Sequence, residues 1–389
     1  MNVTQGLPGA VMDESLGVPA HYANPFAEGN RLAAGEAFTD LSFLEVLSVS
    51  GVERATWLHN LTTRDFTALA PGESSEMLLL SPNGHVEAAA AVVDDGERTW
   101  FLMDTGCSEP FAQFLESMQF RMRVEVERWE GEQKPAVIGL MVPADELSEK
   151  TRTHATVIWE DPWPRTLPGG AHYGVADENH PARNANRTLL VVAQNEPVVE
   201  TLIAAGFVPA GVQAWEAKRI AQWRPRPNTE AANQVLPHEL DWLRTAVHLD
   251  KGCYRGQETV AKLVNLGKPP RRLTYLYLEG PEGDLPEPGA EVTSGGRTVG
   301  QLTSVARDSE DGPVALALLR RATALDAQLE VGAFVASQEE IVAREGKSSV
   351  SPQERPGQGL RRSNRGGGPG SADGGAGAFG SARGGLGSR

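Results

Sequence analysis

Residues 41–66 read LSFLEVLSVSGVERATWLHNLTTRDF. The first ten alternate roughly between apolar and polar side chains, as a half-buried strand requires, and Gly51 ends the run. Val52, Ala55, Leu58 and Leu61 then recur at helical spacing, and TTRDF supplies turn residues beyond them. Working outward, EMLLLS, HVEAAAAVV and RTWFLMD read as strands joined by tight turns at PNG and DDG. Ser108 stands as the N-cap of EPFAQFLESM, where Phe111, Leu115 and Met118 share a face, and RMRVEVE returns to strand alternation. Strand, helix, several strands, helix, strand predicts an α+β unit related to the split βαβ layout.

A second α+β element runs from KPAVIGLMVP at residue 134 to about Gly211. Its polar middle, EDPWPRTLPGGAHYGVADENHPARNANR, is rich in loop formers, and NEPVVETLIAAG reads as a helix opened by Asn195 and closed by Gly206. From Leu273 the pieces LTYLYLEG, AEVTSG, RTVGQLTSVA, PVALALL and AFVASQ predict a small β-barrel or sandwich. The expected organisation is an N-terminal extension over 1–39, a first α+β domain over 40–134, a second over 135–268, a C-terminal barrel over 269–342, and a disordered Gly/Ser/Arg-rich tail over 343–389.

The 389 residues carry a formal charge of -15, which repels a phosphate backbone and makes direct nucleic-acid binding by the folded part a poor expectation. NRGGGPG and ARGGLG in the tail loosely resemble Arg-Gly-Gly segments that touch RNA, although a solubilising tail is the simpler reading. Two cysteines, Cys107 and Cys253, form neither a disulfide framework nor a four-cysteine metal site, and no metal is expected. The opening thirty residues lack a basic start followed by an apolar core, so a cytoplasmic protein without membrane insertion is expected.

One stretch concentrates chemistry: DKGCYRGQE, residues 250–258. Adjacent cations lower a thiol's pKa, so Lys251 and Arg255 would activate Cys253 if they converge on it. Gly252 and Gly256 permit a tight loop around a ligand, while Gln257 and Glu258 offer polar groups to a ligand or to the loop's own backbone. The competing reading is a structural loop with a half-buried cysteine. Cys107, without a basic neighbour, reads as structural, and His238 and His248 lack metal-type spacing.

KGCYRGQE resembles the signature of the YgfZ family of folate-binding proteins, which includes a mitochondrial iron–sulfur assembly factor and is related in fold to the glycine-cleavage aminomethyltransferase, the T-protein. SGVERATWLHNLTTRDFTALAPG and GAEVTSGGRTVGQLTSVARDSEDGPVALALLRR resemble the family as well, so the likeness spans roughly residues 40 to 340. It implies a T-protein-like three-domain ring, with split-βαβ-type N-terminal and middle domains, a small C-terminal β-barrel and a central folate-sized cavity. It also implies tetrahydrofolate or a derivative as cofactor. The implied role is iron–sulfur cluster assembly or repair, with assembly machinery or client iron–sulfur enzymes as partners and indirect effects on tRNA modification.

By the same resemblance Cys253 is the residue tied to activity, with Lys251 beside it, and Trp215 lies against the folate. Tyr254, Arg255, Gln257, Glu258, Trp57 and Asn60 are further candidates for the cofactor site, with His59 beside them and Trp223 as an alternative aromatic wall. KPPRRL, residues 268–273, would meet folate's glutamate tail or serve as a linker. Two departures stand out. Glu87 and Ala88 occupy the place of the T-protein's paired aspartates, and Ala221 replaces a glutamate that anchors the pterin in relatives. A working folate-dependent aminomethyltransferase is therefore the alternative reading, as is a non-enzymatic binding module.

Overall fold

A computed structural model describes residues 4–232 and 234–352. The strands Ser74–Leu80, Val86–Asp94, Arg98–Met103, Glu45–Ser50 and Glu125–Trp129 form one sheet in that order, all neighbours antiparallel. Helices Arg54–Leu61 and Ser108–Met118 cover one face through Trp57, Leu58, Phe111 and Leu115, which pack on Leu47, Val49, Val92 and Phe101. The opposite face is buried too, because Val46, Val93, Trp100 and Leu102 meet a second sheet. Burial on both faces explains why LLL and AAAAVV run without alternation.

Two local expectations change. The helix begins at Arg54, so Val52 precedes it and is 78% exposed, while Trp57 at 4% takes the inward position. Ser108 does not cap its helix. The carboxylate of Glu45, reaching from the neighbouring strand, accepts the Gly106 and Ser108 N–H groups at 2.8 Å each.

The second sheet orders Ala155–Glu160, Thr188–Val192, Ala136–Leu140, Ala37–Asp40 and Val208–Ala210. Residues Ala37–Asp40 run antiparallel to Ala136–Leu140 and parallel to Val208–Ala210. The segment read as an extension over 1–39 thus supplies an interior strand. AFTD is too short to show a period, and its partners lie far along the chain. Phe38, Ile138, Leu140, Leu190 and Val192 pack under the helix Val198–Ala204, which has no side-chain cap from Asn195 and ends before Gly206 at φ +96°.

The barrel closes in the order Arg271–Glu279, Gly312–Arg320, Arg297–Asp308, Glu291–Ser294, Leu329–Val331, Phe334–Glu340 and back to the first strand. Along PVALALL, Ala315, Ala317 and Leu319 fill its interior, while Val314, Leu316 and Leu318 face outward into a core containing Tyr173, Trp223 and Trp242. Beyond it, residues 343–351, read from composition as the start of the tail, are bonded to the folded body. The Ala343 N–H donates to Tyr173 O, the Ser349 N–H to His172 O, and Ser351 Oγ to Val264 O at 2.7 Å. The remainder of the expected tail, including NRGGGPG and ARGGLG, lies outside the described residues.

Glu28, on the helix Pro25–Ala33 and only 6% exposed, clamps the N-terminal segment in place. Its carboxylate accepts the N–H groups of Tyr22, Ala23 and Gly211 at 2.9, 2.8 and 2.8 Å. Glu28→Ala is expected to destabilise the fold by about 2–4 kcal/mol, since one buried and two part-buried donors lose a charged acceptor. A urea midpoint unchanged from wild type would show that the segment is not integral.

Candidate functional site

The loop DKGCYRGQE sits on the tip of the turn between Ser74–Leu80 and Val86–Asp94. A Cβ on Gly256, at φ +83°, would lie 2.6 Å from Ser81 O, so only glycine permits this approach. Gly252 is unstrained: a Cβ there would meet nothing nearer than His59 Nε2 at 3.5 Å.

Lys251 is buried beneath the loop. Its ammonium donates to the carbonyls of His59, Thr62 and Arg64, the last two at 2.7 and 2.9 Å, and lies 5.2 Å from the Tyr254 ring centre. Burial pulls its pKa down to about 8. Lys251 therefore fastens the motif to the end of the helix Arg54–Leu61. The convergence on Cys253 that activation by this cation requires is replaced by three carbonyl contacts.

Arg255 is likewise engaged, holding Glu87 through both carboxylate oxygens at 2.7 and 3.2 Å. Gln257 donates back to the carbonyls of Lys251 and Gly252, and Glu258 is exposed in the first turn of the helix Gln257–Asn265. Cys253 is exposed. It borders an open pocket of about 640 Å³ shared with Asn60, Leu61, Phe114, Met118, Tyr254 and Arg255. Beside the loop, Asp65 accepts from His59 Nδ1 at 2.8 Å, which fixes the imidazole ring.

Trp215 lines a different cavity, of about 130 Å³, between the two sheets and the helix Val212–Ala221. This cavity and the Cys253 pocket share no lining residue. The strand Val86–Asp94 connects them: Glu87 meets the motif loop, and Ala89, two residues on, lines the cavity.

Four arginines line the cavity: Arg187, Arg219, Arg224 and Arg226. Arg219 pairs with Glu216 at 2.9 Å and Glu230 at 3.0 Å, Arg224 with Glu76 at 2.5 Å and Asp161 at 2.9 Å, and Arg226 with Asp104 at 2.8 Å and Glu216 at 3.2 Å. Burial opposes the charge on Glu216, but Arg219 and Arg226 outweigh it and hold the carboxyl down at about 2. The guanidinium of Arg187 covers the Trp215 ring at 4.2 Å, so an indole face expected to be open to a flat ligand is already stacked.

Sequence reasoning missed these arginines. RIAQWRPRP displays three of them as an ordinary basic stretch, and Arg187 hides at the end of a loop-rich segment; no local pattern marks them as buried.

Several candidates fall into the core. Trp57 donates its indole N–H to Met118 O at 3.3 Å within the first domain's core, away from the cavity lining. Trp223 packs edge-on to His180 at 5.2 Å and lines neither pocket. His238 is fully buried, bonds Val260 O, and is pushed down to about 4 by burial; His248 lies against Gly169. In KPPRRL, Arg271 pairs with Glu239, and Arg272 bonds Thr274 and Gln338 inside the barrel region. Burial raises the Cys107 thiol to about 11, and its S–H is 3.2 Å from Asn228 Oδ1.

Comparison with known proteins agrees with this architecture. The family described as CAF17, C-terminal beta-barrel domain, matches residues 271–346. A putative chloroplastic transferase of Arabidopsis thaliana is 29% identical over 280 residues, 69% of this chain and 62% of that relative, so the chain spans less than two thirds of its length. An aminomethyltransferase of Thermus thermophilus is 24% identical over 86% of this chain and 91% of its own. Among solved structures, the glycine cleavage system aminomethyltransferase T from Bartonella henselae superimposes with a TM-score of 0.65 at 16% identity, covering 88% of this chain and 96% of that one. The chain thus has a T-protein-like α+β fold, is similar in sequence to aminomethyltransferases, and ends in a closed six-stranded barrel that matches the CAF17 C-terminal domain.

The two cations of the motif should separate in a stability measurement. Lys251→Met is expected to cost about 2–4 kcal/mol because three carbonyls lose their donor. Arg255→Ala, which breaks a half-exposed pair, is expected to cost less than about 1 kcal/mol. Equal urea midpoints for the two variants would contradict the fastening role of Lys251.

Proposed function

We propose that this protein is a folate-binding accessory factor for iron–sulfur cluster assembly or repair that acts through the thiol of Cys253, with effects on tRNA modification arising through iron–sulfur enzymes. The observation that carries this reading is the placement of Cys253: an exposed thiol on a loop clamped from below by Lys251 and from the side by the Arg255–Glu87 pair. A soft sulfur held on a fixed backbone at the rim of an apolar pocket is suited to contact a partner's cluster or sulfur carrier. The Asp65–His59 pair beside it is placed to hold a proton near the loop.

The central cavity is suited to the pterin end of a reduced folate rather than to the whole molecule. Its volume of about 130 Å³ is below the ~300–1,000 Å³ of pockets that bury a drug-sized ligand. Its walls combine the apolar Leu41, Leu102 and Leu189 with Trp215, and Arg187 Nε and Arg224 Nη1 are buried donors without a partner among the described residues. A bound reduced folate would supply a one-carbon carrier. The protein's part is to exclude water and orient that group.

Aminomethyl transfer is the weaker reading. At the place where the T-protein likeness puts an acid, Glu87 is held in both oxygens by Arg255, and Ala88 is buried under the helices.

Cys253→Ala should abolish rescue of a [4Fe–4S] enzyme's specific activity in a strain lacking the endogenous relative, at matched protein levels and with an unchanged melting temperature. Equal rescue by the variant, or no rescue by wild type, would sink the proposal.

A further inference from the structure

Arg187 differs from the other cavity arginines in one respect: among the described residues it makes no ion pair. It is 6% exposed and stacked on Trp215, its Nη2 reaches Trp215 O at 3.3 Å, and its Nε has no partner. The carboxylates nearest in charge, Asp161 and Glu216, are already taken by Arg224 and by Arg219 with Arg226. The remaining lining carboxylates, Glu76 and Asp104, are bound by Arg224 and Arg226.

A buried cation without an ion-pair partner is costly, and stacking on an indole offsets only part of that cost. Burial pulls the pKa of Arg187 down to about 10, still leaving it charged at neutral pH. Arg224 contributes a second buried donor without a partner, Nη1.

The cavity therefore offers hydrogen-bond donors, while each acidic side chain on its wall is already paired with an arginine. A pterin's amino and ring N–H edge needs acceptors, whereas its 4-oxo group, like a carboxylate, needs donors.

We propose that the central cavity recognises its ligand through a planar oxygen acceptor, a carboxylate or a ring-oxo group, clamped by Arg187 with Arg224 Nη1 beside it. This deepens the folate reading and rests on it for the identity of the natural ligand: the acceptor is either the 4-oxo edge of the pterin or a carboxylate. Trp215 then acts as the support that keeps the Arg187 guanidinium flat and aimed, rather than as the surface on which the ligand stacks.

Calorimetric titration of full-length protein with 5-formyltetrahydrofolate, 6-methyltetrahydropterin, p-aminobenzoylglutamate and benzoate tests this. Arg187→Gln should weaken binding of the parent compound about tenfold or more, the loss for a hydrogen bond to a charged group. Arg187→Lys should recover part of it. Whichever fragment shows the same dependence identifies the acceptor as ring oxo or carboxylate.

If the parent compound binds wild type and Arg187→Gln equally, the inference fails and the folate reading stands. If only benzoate binds, and in an Arg187-dependent way, the folate reading fails and the inference stands; no binding by any probe overturns both. Thermal melting supplies an independent readout. Unliganded Arg187→Met should melt no lower than wild type, because it removes an unpaired buried charge, whereas a drop of several degrees would mark Arg187 as a structural residue and count against the inference.

Discussion

Buried guanidinium–carboxylate pairs hold the junction of this molecule. Arg219 reaches Glu216 on its own helix, Glu230 in the following loop and Ser304 in the barrel; Arg224 joins Glu76 of the first sheet to Asp161 after the second. Glu230, wholly enclosed, also accepts from Thr303 and Ser304 of the barrel. Arg244 adds contacts to Asp241, Asp177 and the carbonyls of Pro164 and Val175. None of these charges can be left unpaired cheaply, so the three parts of the fold are constrained to one mutual arrangement. The cavity is the space this constraint leaves between them.

The same arrangement separates two kinds of chemistry. Around the cavity, burial and multiple partners lock polar groups in place, and among the lining arginines Arg187 Nε and Arg224 Nη1 keep donor capacity in reserve. At the motif loop the backbone is held from beneath while the thiol stays in solvent. The strand Val86–Asp94, which carries Glu87 and Ala89, is the physical link between the two.

Patterns that depend on near neighbours could be read from the sequence. Alternation and turn residues marked the strands around residues 45–129 and the barrel after Leu273, and the dense motif singled out Cys253. What escaped depends on partners remote in sequence. Lys251 finds its acceptors at residues 59, 62 and 64, and the cap for Ser108 comes from Glu45. The strand Ala37–Asp40 is too short to declare itself, and Trp215 looked like an open stacking face because nothing nearby in sequence announces Arg187 above it. Tertiary pairing decided each of these.

The placement of Ala37–Asp40 between Ala136–Leu140 and Val208–Ala210 makes the first sheet an insertion within the second. During synthesis the earliest strand leaves the ribosome with neither of its neighbours yet made, and the sheet spanning residues 45–129 can close before them. The later domain is thus assembled around an earlier one that has already brought its two chain ends together. Premature folding of the inner unit aids the outer one: by shortening the loop between residues 40 and 136 it removes much of the closure entropy that the waiting strand would otherwise face.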